Sequence, residues 1–397
     1  MRYLAMLSLL LVFGIRSAFA QGTQIPIVTN DKPLWAKGKE WRVADKPLVD
    51  IGKAEAEPEY ELSQVRGVLR LADGIIVVAN QQNELRYYDK NGKYIRTAGR
   101  KGEGPGEFIQ ISGLILLRDG NIGVNDYRLG IQVYSPDGKF VRLHPAPKGR
   151  RFPPSAVFDD ASIVIGDLPQ SRRGALAPYT DSIALSRYAG GQETRLGTFP
   201  ASRFVPRPNI EGNMHFGPVL TQAGRGQTWY VGFPEQWQVT QYNSRGTPQR
   251  TIRRAWQPVE ITQTERRVYR EARVNMGGEP GTPVSPQILD QRKRLYVDEA
   301  FAKTLPAFGR LLVDAADNLW AQVPVLPSEL PNNVRFHDTN AKAQEWSIFD
   351  PNGRWLGQVQ TPGNLWVFDI GTDYVLGLWR DEFDVEHVRM YAITKPR

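Results

Sequence analysis

The residue types that most often carry catalysis are sparse in this chain of 397 residues. Cysteine is absent, which excludes thiolate nucleophiles and thiolate metal sites. The four histidines show no metal-ligand spacing, and neither a His-Glu-x-x-His motif nor a nucleophile elbow is present. The sequence therefore identifies no catalytic residue and favours a function in binding.

A glycine-rich segment at 98–108 (AGRKGEGPGEF) has the composition of a phosphate-binding loop. It contains Gly102, Gly104 and Gly106, but no Gly-Lys-Ser/Thr ends it and no helical pattern follows. Binding of phosphate by such a loop requires the N-terminus of a helix. We therefore interpret the segment as a tight crossing between two sheets, where glycine permits the backbone angles.

Arginine side chains are the strongest candidates for binding groups, because a guanidinium forms bidentate hydrogen bonds with carboxylates and phosphates. Neighbouring acidic residues such as Glu265 and Asp298 offer local ion-pair partners, so solvated helix surfaces are the competing interpretation. The residues that we select as candidates for an anionic ligand are Arg100, Lys101, Arg203, Arg207, Arg270 and Arg273.

A degenerate repeat of short strands must position these residues. Its clearest copy, at 66–97, places Asp73-Gly74 and Asn91-Gly92 turns between β-branched and aromatic runs. Further copies begin near residues 112, 155, 217 and 308, and each predicts a four-stranded antiparallel sheet. The third strands end in an aromatic residue shortly before a glycine: Tyr88, Tyr134, Tyr188, Tyr242 and Phe349.

A sixth copy, beginning near residue 365, supplies only three strands. The strand-like segment 40–51 belongs to no hairpin, and its pairing with those three strands would complete the sixth sheet and close a ring. The prediction is an all-β protein. It is a six-bladed β-propeller over 40–397, closed by an N-terminal strand and preceded by an N-terminal extension at 21–39.

The segment ending in Gly-Pro-Gly-Glu-Phe at 104–108, the Asn-Gly turns and the segment 305–313 (LPAFGRLLV) resemble the six-bladed propeller proteins related to NHL repeats. The resemblance covers about residues 40 to 395. It implies the fold and an exported bacterial protein, and it leaves the function open. Many proteins of that group keep a lipobox cysteine, which this chain lacks.

The extra length of the chain falls in one set of connections. In a propeller, the connections between strands two and three and those between blades share one side, which we call the long-loop face. The tight turns lie on the opposite, short-turn face. The longest insertion, about 260–306 between blades 4 and 5, is predicted to be helical, with a capping box at Thr262 and Glu265 and a second helix starting at Ser285-Pro286.

The two predicted helices either form a partial lid over the propeller mouth or pack on its rim. In both cases the long loops point to one functional surface, because long connections in a compact domain are usually functional or disordered. We predict that the protein binds or scaffolds a partner through the long-loop face. The expected partner is a protein or a small anionic or saccharide ligand.

Propeller lactonases and esterases provide the enzymatic alternative, because they hold a divalent cation in the central tunnel with Asp, Asn and Glu side chains. Oxygen donors suit Ca²⁺, which would polarise an ester carbonyl. In the competing interpretation the same side chains cap loops through bonds to the backbone, and no cofactor is expected. The lactonase resemblance implies that the metal ligands are side chains at the ends of second strands, namely Asn80, Asn125, Asp126 and Asp167.

The first twenty residues have the pattern of a secretory signal peptide. Arg2 precedes an apolar stretch at 4–15, and Ala18-Phe19-Ala20 is a small-x-small cleavage pattern. We predict cleavage after Ala20 and a monomer free in the periplasm or the medium, without a membrane span. The formal net charge of +8 is spread over a large chain, so no nucleic-acid partner is expected.

Overall fold

Strands dominate the computed structural model of this protein, and they form six sheets of four or five strands. The structure describes residues 25–52, 57–147, 156–167, 176–207, 210–274, 284–329 and 342–396. The six sheets are blades around a central tunnel, which is lined by the first strand of each blade. The predicted all-β, six-bladed propeller is confirmed. The predicted signal peptide at 1–20 lies outside the described residues.

Three N-terminal strands precede the blades: β1 (Ile27–Asn30), β2 (Arg42–Val43) and β3 (Val49–Ile51). Blade 1 consists of β4 (Gly67–Arg70), β5 (Ile76–Ala79), β6 (Leu85–Tyr88) and β7 (Tyr94–Ala98). A two-stranded parallel sheet follows, with β8 (Arg100–Lys101) and β9 (Glu107–Phe108). Blade 2 consists of β10 (Ile111–Leu116), β11 (Ile122–Asp126), β12 (Gly130–Tyr134) and β13 (Phe140–Pro145).

Blade 3 has five strands: β14 (Ala156–Val157), β15 (Ile163–Gly166), β16 (Tyr179–Ala189), β17 (Gln192–Arg207) and β18 (Ile210–Asn213). Blade 4 contains β19 (Thr221–Arg225), β20 (Thr228–Gly232), β21 (Gln238–Asn243) and β22 (Pro248–Arg254). Two helices follow, α1 (Gln263–Val274) and α2 (Pro286–Leu295). Blade 5 contains β23 (Leu311–Val313), β24 (Leu319–Gln322), β25 (Gln344–Phe349) and β26 (Trp355–Thr361). Blade 6 contains β27 (Leu365–Ile370), β28 (Tyr374–Arg380) and β29 (Glu386–Thr394). Short 3₁₀ helices span Pro58–Tyr60, Asp298–Ala300 and Pro327–Glu329.

Local turn chemistry and burial between blades explain the strands. Gly74 and Gly92 occupy positive φ angles of 91° and 87°, as the predicted Asp-Gly and Asn-Gly turns require. The aromatic residues that end third strands fill the space between neighbouring sheets, where Tyr88, Tyr134 and Phe349 are fully buried. Each blade therefore depends on its neighbours for its apolar core.

The N-terminal strand closes the ring as predicted. β2 and β3 both pair antiparallel with β29, the third strand of blade 6, with Val43 opposite Ile393 and Ile51 opposite Val388. The predicted single segment is thus divided into two short strands on one edge. Pairing of β29 with β2 and β3 joins the N-terminal part of the chain to the last blade and leaves only two short strands at the outer edge of that blade.

The N-terminal extension also belongs to the propeller. β1 adds to blade 4 as a fifth strand, parallel to β22, and the backbone then runs along β26 of blade 5, where the Trp35 N–H donates to the carbonyl of Leu356 at 2.8 Å. The Asn30 side chain joins the two blades. It donates to the carbonyl oxygens of Arg253 and Gly353, both at 3.0 Å, and accepts from the Trp355 N–H at 2.7 Å.

Substitution of Asn30 by alanine is expected to lower the free energy of unfolding by about 2–3 kcal/mol, because the buried groups at 353 and 355 lose their partners. Urea unfolding followed by tryptophan fluorescence measures the change. Asn91→Ala, at an exposed turn position of blade 1, is the matched control. Equal effects of the two substitutions would show that Asn30 does not clamp the blades.

The helical insertion packs against connections on the long-loop face of the propeller. Thr262 caps α1 by accepting from the Glu265 N–H at 3.3 Å, but the Glu265 carboxylate accepts from the N–H and hydroxyl of Ser328 and does not close the predicted capping box. Ser285 caps α2 as predicted. His215, in the connection between blades 3 and 4, packs against Tyr296 with ring centroids 4.8 Å apart. Neither of these two helices is both long and apolar enough to span a membrane.

Candidate functional site

A tunnel of about 660 Å³ lies at the centre of the ring. Its wall is built from the first strand of each blade, namely β4, β10, β14, β19, β23 and β27. Each of these strands begins at the long-loop face and ends at the short-turn face. Residues at or just before a strand's start therefore line one end of the tunnel, and residues at its last position line the other. The two ends differ in chemistry.

Paired charges line the short-turn end. Arg118 of blade 2 and Asp159 of blade 3 lie 3.2 Å apart. Arg225 of blade 4 reaches Asp369 of blade 6 at 2.8 Å, and the Tyr374 hydroxyl donates to the other oxygen of Asp369 at 2.6 Å. The first ion pair joins consecutive blades, and the second joins blades 4 and 6 across 144 positions of sequence.

The pKa shifts at this end follow from burial and from these pairs. Burial lowers the pKa of Arg225, but the Asp369 carboxylate outweighs burial, so the pKa is raised. Burial, reinforced by Asp369, raises the pKa of Tyr374, which keeps its hydroxyl protonated as a donor. Burial also raises the pKa of Asp317. The short-turn end is therefore a cross-link between blades.

Arg310 lines the long-loop end, directly before β23. Its guanidinium carbon lies 3.7 Å from the ring centroid of Trp366, and its Nη2 donates to the Val367 carbonyl at 3.1 Å. In the described part of the chain, no carboxylate forms an ion pair with it. Desolvation lowers the pKa of Arg310 to about 10, so the guanidinium is charged at neutral pH. No carboxylate of the described residues therefore compensates the positive charge of Arg310.

Neutral polar side chains accompany Arg310 at the long-loop end. The Asn125 amide donates to the Ser112 hydroxyl at 2.6 Å, and the Gln222 carbonyl accepts from Trp229 Nε1 at 3.2 Å. The Gln222 amide nitrogen is thus available as a donor. Among the described residues that line the tunnel, the carboxylates are those of Asp159, Asp317 and Asp369, all at the short-turn end. The long-loop end can therefore accept an anion without repulsion from a lining carboxylate.

The arginines selected from the sequence whose side chains the structure describes lie outside the tunnel lining, and most of them are paired locally. Arg100 on β8 pairs with Glu107 at 2.7 Å, and Lys101 beside it is exposed. Arg203 on β17 pairs with Glu235 at 2.8 Å. Their anion-binding role stays a prediction, since these contacts are also those of ordinary surface ion pairs.

The remaining selected arginines belong to α1 and to the end of β17. Arg270 donates to the Tyr296 carbonyl at 2.7 Å and pairs with Asp298, and the Arg273 guanidinium lies 5.4 Å from the Tyr269 ring centroid. Arg270 therefore helps to hold α1 against the segment after α2, whereas the contact of Arg273 with Tyr269 lies within α1. The backbone of Arg207 ends β17, while its side chain lies outside the described part of the structure.

The four metal ligands implied by the lactonase resemblance do not converge on the tunnel, since Asn125 is the only one that lines it. The Asp126 carboxylate is occupied by four backbone N–H groups of 109, 110, 128 and 129, at 2.8–3.0 Å. Asn80 bonds Gln82 and Glu84, and Asp167 follows β15. Within the described ranges, no three His, Asp or Glu side chains form a group that could hold a metal ion.

The candidates selected from the sequence do not include the arginines of the tunnel. A signal for the short-turn end was present, because the first strands of blades 1 and 4 end in Arg70 and Arg225, and Arg118 follows the first strand of blade 2. No such repeated position marks Arg310, because it lies before the first strand of its blade and not at the end of it. It lies in the 305–313 segment that supported the family resemblance, but its environment depends on Trp366 in another blade.

Comparisons with known proteins agree with the fold. A family model described as a 6-bladed beta-propeller matches residues 54–144, which include blades 1 and 2. None of the curated proteins compared with the chain matches it.

Solved structures also resemble the chain. A member of the duf4221 family from Bacteroides vulgatus is 12% identical, with a TM-score of 0.51, over 90% of this chain and 100% of that one. A protein from Bacteroides fragilis, provisionally described as exported, is 12% identical, with a TM-score of 0.48, over 94% and 100%. A gluconolactonase from Xanthomonas campestris is 12% identical, with a TM-score of 0.39, over 85% and 88%. At these identities the likeness concerns the fold alone.

Proposed function

We propose that this propeller is a binding protein for a small anionic ligand, which it holds at the long-loop end of the central tunnel. The observation that carries the proposal is the guanidinium of Arg310, which lines the tunnel without an ion-pair partner among the described residues. An unpaired charge surrounded by protein is costly. A bound anion offsets that cost. On the predicted signal peptide, we place this binding in the periplasm or the medium.

The surroundings of Arg310 support recognition of a specific anion. The Trp366 ring and the Val367 carbonyl hold the plane of the guanidinium, so little side-chain entropy is lost when a carboxylate or phosphate binds. Asn125, Ser112 and Gln222 offer further hydrogen bonds. A tunnel of about 660 Å³ lies within the size range of small-molecule sites.

A calcium-dependent hydrolase at the same end is the alternative that the sequence suggested. It would need several oxygen ligands around the tunnel mouth. Of the four implied ligands, the tunnel lining includes Asn125 alone, whereas it does include the uncompensated Arg310. The geometry therefore supports anion binding better than metal binding.

Substitution of Arg310 by glutamine is expected to weaken anion binding by about 10- to 100-fold, the loss that follows removal of a charge-assisted hydrogen bond. Isothermal titration calorimetry with inorganic phosphate, acetate and gluconate measures the affinities of the wild type and of Arg310→Gln. These probes separate a phosphate, a simple carboxylate and a sugar acid.

The matched control is Arg96→Gln, because the Arg96 guanidinium also lies over an aromatic ring, that of Tyr87 at 4.4 Å, and donates to the Pro136 carbonyl at 2.8 Å. It lies outside the tunnel lining, so its loss should leave the affinity unchanged. Equal affinities of wild type and Arg310→Gln would contradict the proposal. Stabilisation by Ca²⁺ that is lost in Asn125→Ala would support the hydrolase instead.

A further inference from the structure

A second cavity, of about 370 Å³, lies between blades 4 and 5. It is bounded by the long-loop ends of β22 and β24 and by the segment that leads into β23. The described residues that line it do not include any that line the tunnel. The cavity is therefore a separate feature of the long-loop face, and its binding of a ligand does not depend on the function proposed for the tunnel.

Arg254 is the charged group of this cavity. Its guanidinium carbon lies 4.0 Å from the ring centroid of Trp355 and 5.9 Å from that of Trp237, and its Nη1 donates to the Ser347 hydroxyl. Its Nε is buried without a hydrogen-bond partner, and no carboxylate of the described residues pairs with the guanidinium. Burial lowers the pKa of Arg254, and the nearby Glu345 only partly opposes this shift.

The rest of the cavity wall is largely apolar. Trp237 is buried, Trp256 is half-buried, and Pro306 and Pro324 complete this side. Gln322 and Ser347 are neutral and polar. A ligand that is complementary to this wall has a flat or apolar body, which packs against the indole and proline surfaces. It also has one negative group, which pairs with the guanidinium of Arg254. A fully hydrophilic anion would make no apolar contact with the tryptophan and proline side chains.

We propose that this groove, formed by Trp237, Arg254, Trp256, Pro306, Gln322 and Ser347, binds an organic carboxylate with an aromatic or other flat apolar body. The carboxylate accepts from Nη2 of Arg254, which has no hydrogen-bond partner among the described residues, and the apolar body packs against Trp256 and Pro306. Ser347 is a positioning residue, because its hydroxyl holds the guanidinium in place. The cavity is large enough for a ligand of this size.

The probe for this site is 4-fluorobenzoate, with 4-fluorobenzyl alcohol as the neutral analogue, and its affinity is measured by fluorine NMR titration of the whole protein. Arg254→Gln should weaken binding of 4-fluorobenzoate by about tenfold or more and leave the weak binding of the alcohol unchanged. Arg253→Gln is the matched control, because Arg253 is the preceding residue, is exposed and contacts Gln238. It should bind like the wild type.

Two further variants, Ser347→Ala and Arg310→Gln, test the same site if Arg254→Gln does not fold. Ser347→Ala retains the charge and should weaken 4-fluorobenzoate alone, by several-fold. Arg310→Gln separates the two sites, because binding of 4-fluorobenzoate to the tunnel should be lost in this variant while binding to the groove is kept. The proposal is overturned if the wild type does not bind 4-fluorobenzoate at millimolar concentration, if Arg254→Gln or Ser347→Ala binds it as well as the wild type does, or if Arg310→Gln abolishes binding.

Discussion

Replacing Asp314 by alanine is expected to lower the free energy of unfolding by about 4 kcal/mol, the largest effect that we anticipate for a single substitution. Asp314 follows β23 and is completely buried. One carboxylate oxygen accepts from the N–H groups of Ala316 and Asn318 at 2.8 and 2.9 Å. The other accepts from Asn318 Nδ2 at 2.8 Å and from Trp320 Nε1 at 3.0 Å. Alanine would leave four donors without this acceptor.

Asp89→Ala is the control for Asp314→Ala. Asp89 accepts from the N–H groups of Asn91 and Lys93, both at 2.9 Å, in the equivalent kind of turn, but it is only half-buried and binds no tryptophan. Its loss should cost about 1 kcal/mol. Urea unfolding curves of both variants provide the comparison. A similar shift of the two midpoints would show that the buried bonds to Asn318 and Trp320 contribute little.

Replacing Asp50 by alanine is expected to lower the free energy of unfolding by about 3 kcal/mol. The substitution removes the shared partner of His387 and Arg389 on β29 of blade 6. One oxygen of Asp50 lies 2.8 Å from His387 Nδ1, and the other accepts from Arg389 at 2.9 Å. Arg389 also lies over the ring of Trp379, 3.3 Å from its centroid. The substitution therefore loosens the contact between β3 and β29.

The control for Asp50→Ala is Asp45→Ala, in the exposed loop between β2 and β3. It should leave stability within about 0.5 kcal/mol of the wild type. Limited proteolysis adds a second readout, because weaker closure of blade 6 should speed cleavage near the N-terminus relative to the rest of the chain. Identical stability and cleavage of the two variants would mean that Asp50 does not secure the ring.

The closure of the ring also matters for the candidate site. Trp366 and Val367, which hold the guanidinium of Arg310, belong to β27 of the blade that is completed by the N-terminal strands. The geometry of the candidate site thus depends on the pairing of β2 and β3 with β29.

Much of the fold follows from local sequence. Asp73-Gly74 and Asn91-Gly92 impose turns whatever their surroundings, and alternating apolar and polar residues impose strands with one buried face. The segment 40–51 lacks a hairpin partner, and the sixth copy lacks a strand, so their pairing could be predicted from the count alone. Thr262 and Ser285 likewise marked the starts of α1 and α2.

Other features could not be read from sequence because they arise from contacts across blades. β1 has no turn signal, and its parallel pairing with β22 is accompanied by three side-chain bonds of Asn30 to residues of blades 4 and 5. Glu265 has the spacing of a capping box, yet Ser328 competes for its carboxylate. Neither the pairing of β1 nor the bonding of Glu265 to Ser328 can be predicted from residues that are near in sequence.

The sequence by itself determined the number of blades, their order and the strand that closes the ring, because turns and strand periodicity depend on neighbouring residues. The tertiary structure decided which arginines have an ion-pair partner. Arg270 finds a partner in Asp298, and Arg225 finds one 144 positions away in Asp369, whereas Arg310 is placed beside Trp366 with no described carboxylate in reach. Ion pairing acts over a few ångströms in space, so only packing of distant segments determines which charge stays uncompensated.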